Sequence, residues 1–324
     1  MVDNPPEPVR RIRRPELLDR LLRWAVDECG LGDVQRYHVS DVGYDDCNVV
    51  LETGRGRYVV KILSAMRSRP MCARYVRVVD RALAAGVRHP RLLPARGRVL
   101  LHHPESDNQL VVMDFVEGRT FLELREHPRP DEVAAVVEQV GRLHLVDLVP
   151  EPLHDWWAIP NIGALCDEMA PLLRDDDRAH VIAAARAFRG LDVAALPHAL
   201  SHGDLTKANV MRRDAGGIAI LDFAVANRYP RVHDLAMVAV NLMHGDPMSL
   251  PCRVELLAAL YAERAPLTAE ERRALPVYVF ATAAMELLGA SREWSVKGNR
   301  SDETRYLMDL GRTMLPSAAR LVEP

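Results

Sequence analysis

Apolar positions in residues 15–28 fall at helical spacing, with Leu17, Leu18, Leu21, Leu22 and Val26 on one face and Gly30 just beyond as a stop. The pattern then shortens. Residues 37–40, 48–53 and 57–63 are brief β-prone runs, and Gly54-Arg55-Gly56 between the last two reads as a hairpin turn. Residues 71–85 return to helical spacing and stop at Gly86. Residues 98–101 and 109–116 are two further strands joined by the polar turn Glu105-Ser106-Asp107-Asn108. The front of the chain is thus predicted as five antiparallel strands with one packed helix.

From residue 131 onward the period is helical, over 131–147, 179–188, 234–243, 253–261 and 272–288. One stretch interrupts it: residues 209–211 and 218–221 flank the turn Asp214-Ala215-Gly216-Gly217 and read as a second, small hairpin. The predicted architecture is α+β and bilobal. A loose leader (1–14) precedes a β-rich lobe (15–113), an extended connection (114–118) and a helical lobe (119–324), with a cleft between the lobes. No pattern along the chain assigns an oligomeric state.

Composition narrows the partners. With 48% hydrophobic residues over 324 positions the chain can bury a sizeable core. Its 42 Lys and Arg against 45 Asp and Glu give a net charge of −3, which favours neither nucleic acid nor an anionic membrane surface. Cys29, Cys47, Cys72, Cys166 and Cys252 lie far apart without a C-x-x-C pair, which predicts a reducing, cytoplasmic setting. Neither a secretory h-region nor an uninterrupted apolar run of about 18 residues is present, so no membrane association is expected.

The interrupting hairpin carries the chemistry. His202-Gly203-Asp204 is followed by Asn209, and Asp222 ends the second short strand, 18 residues after Asp204 (222 − 204). Phosphoryl transfer needs a carboxylate for the nucleophile's proton and oxygen ligands for Mg²⁺ on the phosphates; H-x-D-x-x-x-x-N followed by D-F-G is the recurring kinase solution. Mg²⁺ takes one or two protein oxygens beside the phosphates, which suits Asn209 and Asp222 and leaves Asp204 as base. Asp and Asn alone often only cap turns, but that reading leaves the joint spacing unexplained. His202 is expected to brace the loop backbone. Lys207 either neutralises the γ-phosphate or is a solvated loop lysine.

Lys61 lies inside the apolar run Tyr58-Val59-Val60-Lys61-Ile62-Leu63, where an ammonium needs an anion, and a nucleotide phosphate would supply one. The preceding loop, residues 40–48, has Gly43 as its single glycine and three acids, Asp41, Asp45 and Asp46, which makes a poor anion cradle. Those acids either point away from the nucleotide or help to hold Mg²⁺ or a cationic acceptor.

HGDLTKAN, ILDF and HDLA, in this order, resemble the aminoglycoside phosphotransferase and choline kinase superfamily, small-molecule kinases with a protein-kinase-like fold, from about Val39 to the end of the chain. GYDDCN, YVVKIL, HGDLTKANV, PLTAEERRAL and NRSDETRYLMDLGRTML are similar to hydroxylysine kinases, and homoserine kinases are similar in several of these places. The resemblance implies Asp204 as catalytic base, Asn209 and Asp222 as metal ligands, Lys61 at the nucleotide phosphates and Asp234 as a buried brace for the catalytic loop. It also implies that Met113, Asp114, Phe115 and Val116 form a hinge offering backbone groups to the purine. Two positions depart from the superfamily pattern. Ala224 follows Asp222-Phe223 in place of glycine. The helix after Lys61 lacks the glutamate that pairs with the lysine; it offers Arg74, Tyr75, Arg77 and Arg81, with Asp80 its only acid, so Lys61 pairs with Asp80, with a loop acid or with the nucleotide alone.

The acceptor is expected against the helical lobe, with Asp45, Asp46, Trp294 and acids of the last helices as candidate contacts. Glu286 and Arg292 read as a solvated helix face, and His102-His103 and Trp156-Trp157 as structural or surface residues. These features predict an ATP- or GTP-dependent, Mg²⁺-assisted phosphotransferase acting on a hydroxyl of a small amine-bearing metabolite, a hydroxylysine-like amino alcohol. An aminoglycoside-type antibiotic or a Ser/Thr of a biosynthetic peptide keeps the chemistry and changes the acceptor. A nucleotide-binding pseudokinase is the non-enzymatic alternative, motivated by the missing helix glutamate and the acidic loop.

Overall fold

In a computed structural model that describes residues 7–41 and 43–323, the chain divides into two compact units. The first runs to Ala84 and includes Arg88–Gly118 and Arg213–Ala215; the second holds Ala85–Val87, Arg119–Arg212 and the rest from Gly216.

In the first unit, α1 (Leu18–Cys29) buries Leu18, Leu21, Leu22, Ala25 and Val26 and ends at Gly30 with φ 64°, the left-handed geometry that glycine tolerates best. Strands β1 (Val34–Val39), β2 (Cys47–Thr53), β3 (Gly56–Ile62), β4 (Leu92–Leu93), β5 (Leu101–His103) and β6 (Asn108–Asp114) form one antiparallel sheet. Its order is β1-β2-β3-β6-β4, with β5 also on β6. Helix α2 (Arg69–Ala84) follows β3. The pleat sets Val60 and Ile62 into the α1-side core and turns Lys61, between them, to the other face.

Two expectations change here. The sheet has six strands, because the two-residue β4, which sets Leu92 opposite Met113, is too short to show any period. The leader is not loose from residue 7 onward, while residues 1–6 lie outside the described residues. Glu7–Arg11 is a 3-10 helix, Val9 and Ile12 sit in the core, and the Arg13 amide donates to Asn108 Oδ1 at 2.9 Å. Two apolar residues three apart, masked by proline and arginine neighbours, suffice to dock it.

The second unit opens with β7 (Gly118–Thr120), the single turn α3 (Phe121–Leu124), α4 (Pro130–His144), α5 (Ile162–Met169) and α6 (Asp175–Arg189). Next come β8 (His198–Ser201), β9 (Val210–Arg213), β10 (Ile218–Ile220) and β11 (Asn227–Pro230). They pair as the three-stranded sheet β10-β9-β7 and the two-stranded β11-β8. Four helices complete it: α7 (Val232–Met237), which runs into a π-type turn over Val238–Leu242, α8 (Leu250–Ala262), α9 (Ala269–Ser295) and α10 (Asp302–Ala319).

Helix α9 starts at a Thr268/Glu271 capping box and is the core helix of this unit. It is long and apolar enough to cross a membrane, yet 89% of its apolar window is buried inside the protein. Trp157 packs on Gly289 of α9, where an added Cβ would meet the indole at 2.5 Å, so this tryptophan is structural. On α10, Gly311 lies against Leu287: a Cβ there would fall 2.6 Å from the Leu287 backbone nitrogen, which cannot yield cheaply. Gly311→Ala is therefore expected to lower stability by about 1–3 kcal/mol through overpacking. Urea unfolding tests this, and an unchanged midpoint would show that α9 and α10 can part at no cost.

Candidate active site

The carboxylate of Asp234, 0% exposed on α7, accepts the backbone N–H groups of His202 (Oδ2, 2.9 Å) and Gly203 (Oδ1, 2.9 Å). His144 of α4 donates Nε2–H to Oδ2 at 3.1 Å and accepts at Nδ1 from the Tyr261 hydroxyl at 2.8 Å. Burial pushes Asp234 up, but the hydrogen bond from His144 and the neighbouring histidines outweigh it and hold the carboxyl down at about 2. Gly203 has φ 84°, and a Cβ there would press on the Val225 carbonyl at 3.2 Å, so the loop needs glycine at this point.

His202 accepts the Asp204 amide at Nδ1 (3.2 Å) and donates Nε2–H to the Leu221 carbonyl (2.9 Å). Both nitrogens are thus assigned in the neutral ring, and burial lowers its pKa in agreement. A second tie runs from the Leu221 amide to the Asn209 carbonyl at 2.7 Å. Through these bonds the loop that bears Asp204 and the strand end that bears Asp222 are held together.

Asn209 donates Nδ2–H to the Asp204 carbonyl (3.0 Å) and to Asp204 Oδ2 (2.6 Å), which orients the Asp204 carboxylate and leaves the Asn209 amide oxygen Oδ1 for a ligand. Asp222 stands at φ 58°, a left-handed conformation uncommon outside glycine, and its Oδ1 accepts the Ala224 amide at 3.1 Å. Two hard oxygen donors beside a half-buried carboxylate fit Mg²⁺, which fills its remaining positions with water and phosphate.

Burial raises Asp204 well above the ordinary carboxylate range, and the charges of Glu286, Asp222, Asp155 and Glu303 raise it further. Glu286 is not on a solvated face. It is 4% exposed, and its Oε1 accepts Nδ2–H of Asn241 at 2.8 Å. Asn241, in the π-type turn, accepts the Lys207 amide at Oδ1 (3.1 Å), so the turn links Glu286 to the catalytic loop. Asn241 and Asp155 were missed from the sequence, and Glu286 was misplaced. The signal was faint: for Glu286 a lone carboxylate in ATAAMELLGA and for Asn241 a lone amide in AMVAVNLM, polar residues in runs that must be buried.

Lys207 is not solvated either. It is 7% exposed, its Nζ donates to the His244 carbonyl at 2.6 Å, and burial lowers it to about 8 with help from Arg253. Arg292 binds Glu168 at 2.9 Å and lies over the Trp156 ring at 4.8 Å, while Trp294 carries Arg300 at 4.0 Å.

In the first unit, Lys61 Nζ lies 3.0 Å from Asp46 Oδ2, with side chains 2% and 3% exposed. Of the expected partners it is the loop acid that is met; Asp80 is exposed on α2. Asp45 is exposed and lies 3.6 Å from Arg67. Gly43 has φ 98°, and its carbonyl accepts from Arg11 at 2.6 Å. Met113 is buried at the end of β6. The Asp114 amide is committed to the Arg91 carbonyl at 3.0 Å, Phe115 lies under the Arg57 guanidinium at 3.7 Å, and Val116 is half-buried.

The second unit thus carries a loop aspartate oriented by an asparagine and an aspartate at the following strand end, and the first a buried strand lysine, the residue types that phosphoryl transfer uses. A model of the phosphotransferase enzyme family matches residues 40–275, and the chain belongs to that family. The homoserine kinase of Polaromonas naphthalenivorans is 24% identical over 284 residues, 82% of either chain. That of Burkholderia cenocepacia is 26% identical over 268 residues, 75% of this chain and 76% of its own. Two solved structures share the protein-kinase-like fold. A microcompartment-associated aminopropanol kinase has TM-score 0.69 at 18% identity, over 93% of this chain and 97% of its own. A spectinomycin phosphotransferase solved with ADP and spectinomycin has TM-score 0.68 at 10% identity, over 93% and 96%. The protein is a small-molecule phosphotransferase.

The buried Glu286 gives this site a pH signature. Burial pushes it from 4.5 up to about 7, against the Asn241 hydrogen bond and with the charge of Glu303. Across that window the folded chain keeps a proton that the unfolded chain has released, so stability falls as pH rises from 4.5 to 7. Glu286→Gln is expected to remove about 1–3 kcal/mol of that fall. Urea midpoints at pH 5 and pH 8 measure it, and parallel profiles for the two proteins would exclude Glu286 as the source.

Proposed function

We propose that the protein transfers the γ-phosphoryl group of ATP or GTP, with Mg²⁺, to the hydroxyl of a small amine-bearing metabolite, an amino alcohol of the homoserine or hydroxylysine kind. The observation that carries this reading is the convergence of Glu286, Glu303, Asp155 and Asp222 on Asp204. Such an excess of negative charge favours a cationic guest over a neutral or anionic one. The names of the relatives, homoserine kinase and aminopropanol kinase, support the same class.

Asp204 accepts the proton of the acceptor hydroxyl as its oxygen bonds to the γ-phosphorus and the bond to the nucleoside diphosphate breaks. Its raised pKa makes it a stronger proton acceptor than an ordinary carboxylate. Asn209 holds Oδ2 of the base, and Lys61 neutralises phosphate charge. Asn209 Oδ1 and Asp222 would hold Mg²⁺, which supplies charge neutralisation at the phosphates. Met113 to Val116 border the purine, with the Asp114 amide already spent on Arg91.

Asp204→Asn is expected to keep nucleotide binding and to lose about 10²- to 10⁴-fold in turnover. Phosphate transfer with ATP and GTP to homoserine, hydroxylysine, aminopropanol and aminoglycosides, each beside an analogue lacking the amine, tests the acceptor class. Amino alcohols are expected to outpace their deaminated analogues. Equal rates would remove the amine from the proposal, and full activity of Asp204→Asn would remove the base.

A further inference from the structure

Lys61 has an acid partner, but not from the element that follows it. The buried residues of α2 include Arg74 and Tyr75, at 1% and 2% exposure, and the Tyr75 ring centroid lies 5.7 Å from Lys61 Nζ. The acid of that helix, Asp80, faces solvent. What α2 brings near Lys61 is the Tyr75 ring, and its one acid lies on the exposed side of the helix.

Asp46 occupies the place instead, and it is fixed from the opposite side. Its Oδ1 accepts the Ser64 amide at 2.8 Å and Arg67 Nε at 3.1 Å, so the carboxylate is held to the segment just after β3 while Oδ2 faces the ammonium. The 3.0 Å approach of Nζ to Oδ2 is a buried ion pair. Lys61 and Arg67 flank one carboxylate, with side chains 2%, 10% and 3% exposed. Asp45 lies 3.6 Å from Arg67, so the cluster sets two cations against two acids, of which Asp46 is the buried one.

We infer that Asp46 is a positioning residue for the nucleotide-binding lysine: the counter-ion usually carried by the following helix is carried here by the loop before β2. The inference rests on the assignment of Lys61 to the nucleotide phosphates. It makes the lysine's placement depend on the segment 46–67 and not on where α2 stands.

The test is a double-mutant cycle read on nucleotide binding and on kinetics. Asp46→Asn is expected to weaken nucleotide affinity about 10-fold or more and to lower turnover about 10²-fold, with the acceptor KM within about 2-fold of wild type. Asp46→Glu, which keeps the charge, is expected to lie between the two, and Asp80→Asn to match wild type. In a Lys61→Met background, adding Asp46→Asn is expected to change the nucleotide Kd by less than about 2-fold, since its effect passes through the lysine. Should Asp46→Asn alone not fold, that last comparison carries the test, because removing both partners leaves no stranded ammonium. Wild-type nucleotide affinity in Asp46→Asn, an undiminished loss in the Lys61→Met background, or a loss in Asp80→Asn would each overturn the inference. Unchanged nucleotide affinity in Lys61→Met alone would overturn the role of the lysine and so the reading beneath it.

Discussion

The carboxylate of Asp234 is wholly removed from solvent, and a charge in that position persists only if its oxygens are filled. Two backbone amides of the catalytic loop and a histidine of α4 fill them. Everything chemical in the second unit hangs on this arrangement. It fixes the backbone at His202 and Gly203, the His202 ring then fixes the strand end at Leu221, and the distance from the base to the aspartate at 222 follows. Breaking the hub would strand a buried charge and release the loop in one step.

In the second unit the charges of Glu286, Asp222, Asp155 and Glu303 add to burial at Asp204; in the first, Lys61 and Arg67 both meet the buried Asp46. Unbalanced buried charge destabilises a fold, and it is tolerated where ligands complete it. The same logic accounts for the loop acids that made a poor phosphate cradle: Asp46 turns inward to the lysine, and Asp45 stays in solvent near Arg67.

Much of this was legible from the chain alone. Most of the longer helices were marked by their period, though α5 and α10 were not read, and the hairpin by its glycines; Asp204 and Asn209 meet because a local loop of fixed length brings them together. The misreadings share a cause. Glu286 was read as part of a solvated face, and for Lys207 a solvated loop was one of two readings, because charged residues on helices and loops usually go there; both are buried by elements distant in sequence. The docked segment at Val9 and Ile12 and the two-residue β4 escaped because neither is long enough to show periodicity.

The sequence by itself determined the reaction class and the order of elements, since both rest on contacts between near neighbours along the chain. The tertiary structure alone decided which acid meets Lys61, and that Glu286 joins the base through Asn241 and the loop. The hairpin register brings Asp46 to the end of β3 but packing turns its carboxylate to Lys61, while positions 207, 241 and 286 lie on elements whose spacing along the chain does not constrain distance in space. Burial then sets how strongly each charge is felt, and burial is a property of the packed whole.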